Sequence, residues 1–229
     1  MKRIGLLGGM SWESSIEYER LINESVRARL GGTHSADLVV RSYDFAEIEA
    51  LQQQGRWDDL GDLLAADAVA LQDAGAELVL VCSNTMHLVA PAIEAALDVE
   101  LVHLVDVTAA AILDAGVSSV GLLGTRYTME GDFYRERLGR HGLHVTVPSA
   151  DDRAELDGVI FDELVQGVID DGSRRRVMAM VDELAASGAT GVISGCTEIE
   201  LLVGADDVAV AWFPTTQLHA AAAVAMALD

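Results

Sequence analysis

The chain has 229 residues, room for one large or two small domains, and 51% of them are apolar, which excludes disorder. Its 37 acidic residues against 15 basic ones give a formal net charge of -22, which repels nucleic acid and anionic membranes, so neither is expected as a partner. No apolar run approaches the roughly 20 residues of a membrane span, and Met1-Lys2-Arg3 leads into a stretch too short and glycine-rich for a signal sequence. A cytoplasmic protein with reduced thiols is expected.

Ile4 to Gly8 reads as a strand, and Gly9-Met10-Ser11 as a loop feeding a helix from about Trp12 to Leu30, capped by Ser11 and ended by Gly31-Gly32. Leu38 to Ser42 is a second strand. Tyr43 to Trp57, with Gln52, Gln53 and Gln54, reads as a polar connection, and Asp58 to Ala74 as a helix closed by Gly75. Leu78 to Val81 is a third strand ending at Cys82. A helix is expected over Thr85 to Leu97, kinked or broken at Pro91, then a strand over Leu101 to Val105 and a helix over Val107 to Ala115.

There the pattern restarts. Val120-Gly121-Leu122-Leu123-Gly124-Thr125 repeats Ile4-Gly5-Leu6-Leu7-Gly8-Gly9, with Gly5 and Gly121 lying 116 residues apart and the two cysteines 114 apart. The second half continues with a helix near Met129 to His141, a strand His144 to Val147, helical stretches near Ala154 to Val168 and Arg174 to Ser187, and a strand ending at Cys196. A strand Val208 to Phe213 and a helix Gln217 to Leu228 complete it. A repeat this long does not fit a solenoid. It fits an α/β chain of two similar domains with parallel sheets, related by a pseudo-twofold, residues 1-105 plus 215-229 forming one and 106-214 the other. Corresponding strand ends would then approach an interdomain cleft with a thiol on each side.

Cys82 and Cys196 are the only cysteines, and each follows a Gly-Ala step and an apolar run (Gly75-Ala76, Gly188-Ala189). Free cysteine is commonly a packing residue. Here both stand where a strand ends and a helix can begin, the place at which open α/β sheets present ligands, among polar neighbours Asn84, Thr85, Thr197 and Glu198. Two thiols on opposite faces of a small substrate suit removal of a proton on one face and delivery on the other, because a thiol with an ordinary pKa of about 8.5 works as acid or base after modest tuning. Asn84, Thr85 and Thr197 could stabilise charge on the substrate or serve as helix caps. His87 could tune Cys82 or act as a structural donor, and Glu198 could begin a helix but suits an ammonium group better.

Other chemistries fit less well. Lys2, the only lysine, lies at the terminus, which makes a pyridoxal phosphate Schiff base a poor fit. The Gly-x-Gly-x-x-Gly spacing of a dinucleotide loop is absent, neither cysteine belongs to a Cys-x-x-Cys pair, and His87 with His103 lacks zinc-ligand spacing. No arginine stands six residues after either cysteine, as a cysteine phosphatase loop requires.

Gly8-Gly9-Met10-Ser11-Trp12-Glu13-Ser14, Cys82-Ser83-Asn84-Thr85-Met86-His87, Leu123-Gly124-Thr125-Arg126-Tyr127-Thr128-Met129 and Gly195-Cys196-Thr197-Glu198-Ile199 together resemble the cofactor-independent aspartate/glutamate racemase superfamily, in its amino-acid racemase branch, nearly end to end. The resemblance implies two Rossmann-like domains, a homodimer, a small amino-acid substrate, no cofactor or metal, and proton exchange at Cα by Cys82 and Cys196. It also implies substrate contacts at Met10, Gln52, Ser83, Asn84, Thr85, Thr125, Thr197 and Glu198, although Gln52 also reads as one of three solvated glutamines. Glu155 stands where relatives acting on acidic substrates place a basic side chain, with Arg153 beside it as a substitute, and Pro214 stands where many have aspartate. A one-cysteine decarboxylase, a maleate-type isomerase and a non-catalytic binding protein for an amino acid or small anion are the alternatives.

Overall fold

The computed structural model describes the whole chain, Met1–Asp229. It divides into two units, Met1–Leu104 with His219–Asp229, and Val105–Leu218. No helix is long and apolar enough to cross a membrane.

The first unit runs through β1 (Ile4–Gly8), α1 (Trp12–Leu30), β2 (Leu38–Ser42), α2 (Phe45–Gln53), α3 (Trp57–Asp73), β3 (Leu78–Val81), a 3-10 turn over Thr85–Val89, α4 (Ala90–Ala96) and the two-residue β4 (Glu100–Leu101). Its strands form one parallel sheet in the order β2-β1-β3-β4, with Leu7 opposite both Arg41 and Val81. β1 and β3 are buried along their whole length, as expected of central strands covered on both faces.

The second unit begins with α5 (Leu104–Asp114), whose first residue closes the other unit. It continues through β5 (Ser119–Gly124), α6 (Arg126–Glu130), α7 (Asp132–Arg140), β6 (His144–Thr146), α8 (Ala150–Gly158), α9 (Asp171–Ala186), β7 (Gly191–Gly195), α10 (Ile199–Leu202) and β8 (Ala211–Pro214). α11 (Thr215–Leu228) ends the chain. The second sheet is again parallel, in the order β6-β5-β7-β8. Strand for strand it has the topology of the first, so β3 and β7, which precede the two cysteines, hold equivalent places.

The repeated glycines have a packing reason. A Cβ on Gly5 would lie 3.0 Å from Ala76 Cβ and 3.2 Å from Leu71 Cβ; one on Gly121 would lie 2.7 Å from Leu184 Cδ1. Leu71 and Leu184 each begin a Leu-x-x-x-Gly-Ala segment that brings the chain from a helix back to the sheet. In each unit the helix can settle on the central strand only because that strand carries hydrogen at this point.

The sequence reading differs from the structure in several places. The supposed polar connection contains α2, started by Asp44, whose carboxylate accepts the Ala46 N–H at 3.1 Å, and held inward by Ile48 and Gln52, four residues apart on one face. The strand expected over Leu101 to Val105 is only Glu100–Leu101, because the apolar run turns helical at Leu104. The expected helix near Met129 to His141 is two helices separated at Gly131, where a Cβ would lie 2.6 Å from the Tyr127 carbonyl oxygen. Pro91 sits in the first turn of α4, where no backbone donor is needed, so it breaks the expected helix rather than kinking it.

α11 is tied into the first unit by His219, whose Nε2 lies 2.6 Å from the Val102 carbonyl and whose Nδ1 lies 2.9 Å from Tyr18 Oη. Burial, with a smaller contribution from nearby His87, pushes the His219 pKa down from 6.5 to about 3. The folded protein thus holds this ring neutral while the unfolded chain protonates it below pH 6.5, so its contribution to stability is present above that value and is lost as pH falls toward 3. Urea denaturation should show the wild type losing about 2 kcal/mol more between pH 7 and pH 5 than His219→Gln, whose amide can still reach Val102 but does not titrate.

Candidate active site

Cys82 follows β3 directly. Its N–H donates to the Leu7 carbonyl at 2.9 Å, extending the β1–β3 pairing by one bond, and its side chain is fully buried. Beside it runs the β1–α1 loop, Gly9-Met10-Ser11. Gly9 has φ +79, and a Cβ there would overlap the backbone nitrogen of Tyr43, so only glycine lets the loop close against the end of β2. Ser11 caps α1 through the Ser14 N–H at 3.3 Å, with the two hydroxyls 3.1 Å apart.

Met10 belongs to the same buried cluster as Tyr43, Ile48 and Met86, and Gln52 joins it, placing Nε2 3.2 Å from the Met86 sulfur. Gln52 is therefore not a solvated glutamine; only 5% of it is exposed. Ser83 Oγ accepts the Met86 N–H at 3.4 Å, whereas Asn84, which heads the 3-10 turn, makes no side-chain cap bond. Asn84 and Thr85 are both buried. His87 places Nδ1 2.7 Å from the Ser83 carbonyl, and its Nε2 accepts the Leu104 N–H at 3.2 Å. Its ring nitrogens thus join the backbone just after Cys82 to the start of α5.

In the second unit Thr125 caps α6 as Ser11 caps α1. Its Oγ1 lies 3.3 Å from the Thr128 N–H and 3.2 Å from the Thr128 hydroxyl. The strand ends approach closely here, since a Cβ on Gly124 would lie 2.9 Å from the Gly195 carbonyl oxygen. Thr215 donates to the Ser194 carbonyl at 2.7 Å, and Thr216 Oγ1 donates to Thr197 Oγ1 at 3.3 Å. Thr197 therefore meets a hydroxyl rather than capping α10.

Cys196 Sγ lies 2.9 Å from Glu198 Oε2, both residues buried. The sequence reading gave Glu198 to an ammonium group; in the structure its carboxylate accepts the thiol proton's hydrogen bond. Burial pushes both thiols above the ordinary cysteine range, and for Cys196 the Glu198 charge and hydrogen bond push in the same direction.

Arg153 is paired outside the site residues named so far. Its Nε lies 3.1 Å from Glu130 Oε1 and its Nη1 2.7 Å from the Pro148 carbonyl, while Glu155 pairs with Arg176 at 2.7 Å. Pro214 continues β8 opposite Ser194. The structure ties Tyr18, His103, His219, Thr128, Thr215 and Thr216 to the residues around each turn; of these only Thr128, three residues after a capping threonine, had a visible signal as a partner. No group of three or more His, Cys, Asp or Glu side chains is arranged to hold a metal ion.

Residues 7–223 match the model of the Asp/Glu/hydantoin racemase family. The chain belongs to that family. A candidate Asp/Glu racemase from Yersinia pestis is 50% identical with a TM-score of 0.94, and an aspartate racemase homologue from Pyrococcus horikoshii is 33% identical with a TM-score of 0.88, each match covering both chains completely. Aspartate racemase from Picrophilus torridus shares the fold at 16% identity, with a TM-score of 0.79 over 99% of this chain and 94% of its own.

Because Glu198 raises the Cys196 pKa, its removal as Glu198→Gln should lower that pKa and speed alkylation of Cys196 by iodoacetamide at pH 8, leaving Cys82 unchanged. Peptide mass spectrometry of a timed reaction reads the two sites separately; a slower Cys196 reaction would contradict the contact.

Proposed function

We propose that the protein is a cofactor-independent amino-acid racemase of the aspartate/glutamate type, in which Cys82 and Cys196 exchange protons with the two faces of Cα. The observation that carries this reading is the equivalence of the thiols: each directly follows the same strand of a repeated sheet, beside a hydroxyl-capped turn from the neighbouring central strand. Family membership supports a racemase, and the paired thiols supply the acid and base.

In one direction of racemisation Cys196 acts as the base, in its thiolate form, and Cys82 as the acid, in its thiol form. The thiolate removes the Cα proton, and the Cys82 thiol delivers its own proton to the opposite face. Product leaves with Cys82 as thiolate and Cys196 as thiol, the arrangement the opposite enantiomer needs. Desolvation matters to both steps, because a thiolate freed from water is a stronger base toward the weakly acidic Cα–H. Asn84, Thr85, Thr125 and Thr197 are the polar groups assigned to the substrate, and Met10 and Gln52 to the wall behind it.

Cys82→Ser and Cys196→Ser should each reduce racemisation by about 10²–10⁴-fold, the usual contribution of a positioned acid or base. Proton NMR in deuterated buffer with L- and D-aspartate, L- and D-glutamate and a panel of neutral amino acids tests this further: each variant should still wash deuterium into Cα of one enantiomer, and the two variants into opposite ones. Near-full racemisation by either variant would exclude the two-base reading, and absence of exchange in the wild type with every substrate would turn it toward decarboxylation, isomerisation or binding.

A further inference from the structure

Three backbone groups that bind His87 and His219 form hydrogen bonds whose direction is fixed by their chemistry. The Ser83 and Val102 carbonyls can only accept, and the Leu104 N–H can only donate. His219 must therefore carry its proton on Nε2 to reach Val102 at 2.6 Å, which leaves Nδ1 to accept from the Tyr18 hydroxyl at 2.9 Å. His87 must carry its proton on Nδ1 to reach Ser83 at 2.7 Å, which leaves Nε2 to accept from Leu104 at 3.2 Å. One line of donors and acceptors thus runs from Tyr18 through His219 to Val102, along the chain to Leu104, and through His87 to the residue after Cys82. The two imidazoles carry opposite tautomers, and each is neutral.

We propose that His87 is a positioning residue for Cys82: as the neutral Nδ1–H tautomer it fixes the Ser83 carbonyl, and with it the turn that aims the thiol, while His219 and Tyr18 hold the Val102–Leu104 segment against which His87 bears. The inference rests on the racemase reading for its catalytic meaning, but its geometry concerns Cys82 alone. The His103 ring lies 4.7 Å from that of His87, edge to face, and the His219 ring lies 6.0 Å from it. Both rings of this pair are buried, so water is not at hand to replace a lost bond.

Nitrogen-15 NMR of histidine-labelled protein at pH 7 should show His87 protonated at Nδ1 and His219 at Nε2; the reverse tautomer at His87, or an imidazolium, would overturn the proposal. Alongside it, His87→Asn retains an amide donor near the place of Nδ1, whereas His87→Leu retains none. The leucine variant should lose up to about 10²-fold in kcat with KM little changed, as a misplaced reacting group does. Its Cys82 should also alkylate faster with a profile moved to lower pH, since a loosened turn admits water, while Cys196 stays as in the wild type. The asparagine variant should recover most of both readouts. Equal damage in the two variants, or parallel changes at both thiols, would show a merely structural role and overturn the proposal. A wild type that exchanges no Cα proton would defeat the racemase reading while the tautomers and the Cys82 alkylation contrast still decide this one, and an insoluble leucine variant would leave the decision to the tautomers.

Discussion

Removal of two thiols from water is the constraint around which each unit is arranged. A cysteine placed at the end of a central parallel strand is covered by the loop from the neighbouring strand, and that burial keeps it protonated. Useful acid–base chemistry then depends on what lies within a few ångströms. At Cys196 this is a carboxylate on the thiol itself. At Cys82 it is a braced turn, with a histidine on the carbonyl of the next residue. The same strand position, built twice, has been furnished with different neighbours.

The duplicated parts are those that geometry demands of any such unit. Gly5 and Gly121 admit a helix onto the sheet, and Ser11 and Thr125 cap the helices that follow the central strands. The residues that differ between the halves are those that set proton affinity and hold the turns. In the second unit Thr215 and Thr216 anchor Ser194 and Thr197 by hydroxyl bonds. Within one architecture, then, repetition fixes where the reactive atoms stand, and the departures from repetition fix how they behave.

Much of this was legible in the chain. The apolar runs with small residues at their ends marked β1, β3, β5 and β7, and the repeat of Gly-Leu-Leu-Gly and of the cysteine segments announced two like sheets. Helix α2 escaped because its inward face mixes Phe45, Ile48 and Leu51 with a buried glutamine among polar neighbours, which blurs the apolar pattern, although Asp44 offered a start signal. The Leu101 to Val105 run misled because a short apolar stretch does not distinguish a buried strand from the first turn of a buried helix. Long-range partners left no local trace: nothing near Cys82 in the sequence names Tyr18 or His219, and the Glu198 carboxylate turns toward the thiol for reasons of side-chain geometry that spacing does not encode.

The brace under Cys82 also bears on how the chain is made. Tyr18 and His219 are separated by 201 positions, and His219 lies in the closing helix. During synthesis from the N-terminus, the β1–β3 part of the sheet and the Cys82 turn can form while the ribosome still holds the last stretch, but the far end of the hydrogen-bonded line is missing until α11 emerges. Final alignment of that thiol must therefore await the emergence of α11, which delays the reactive geometry until the second unit has been made.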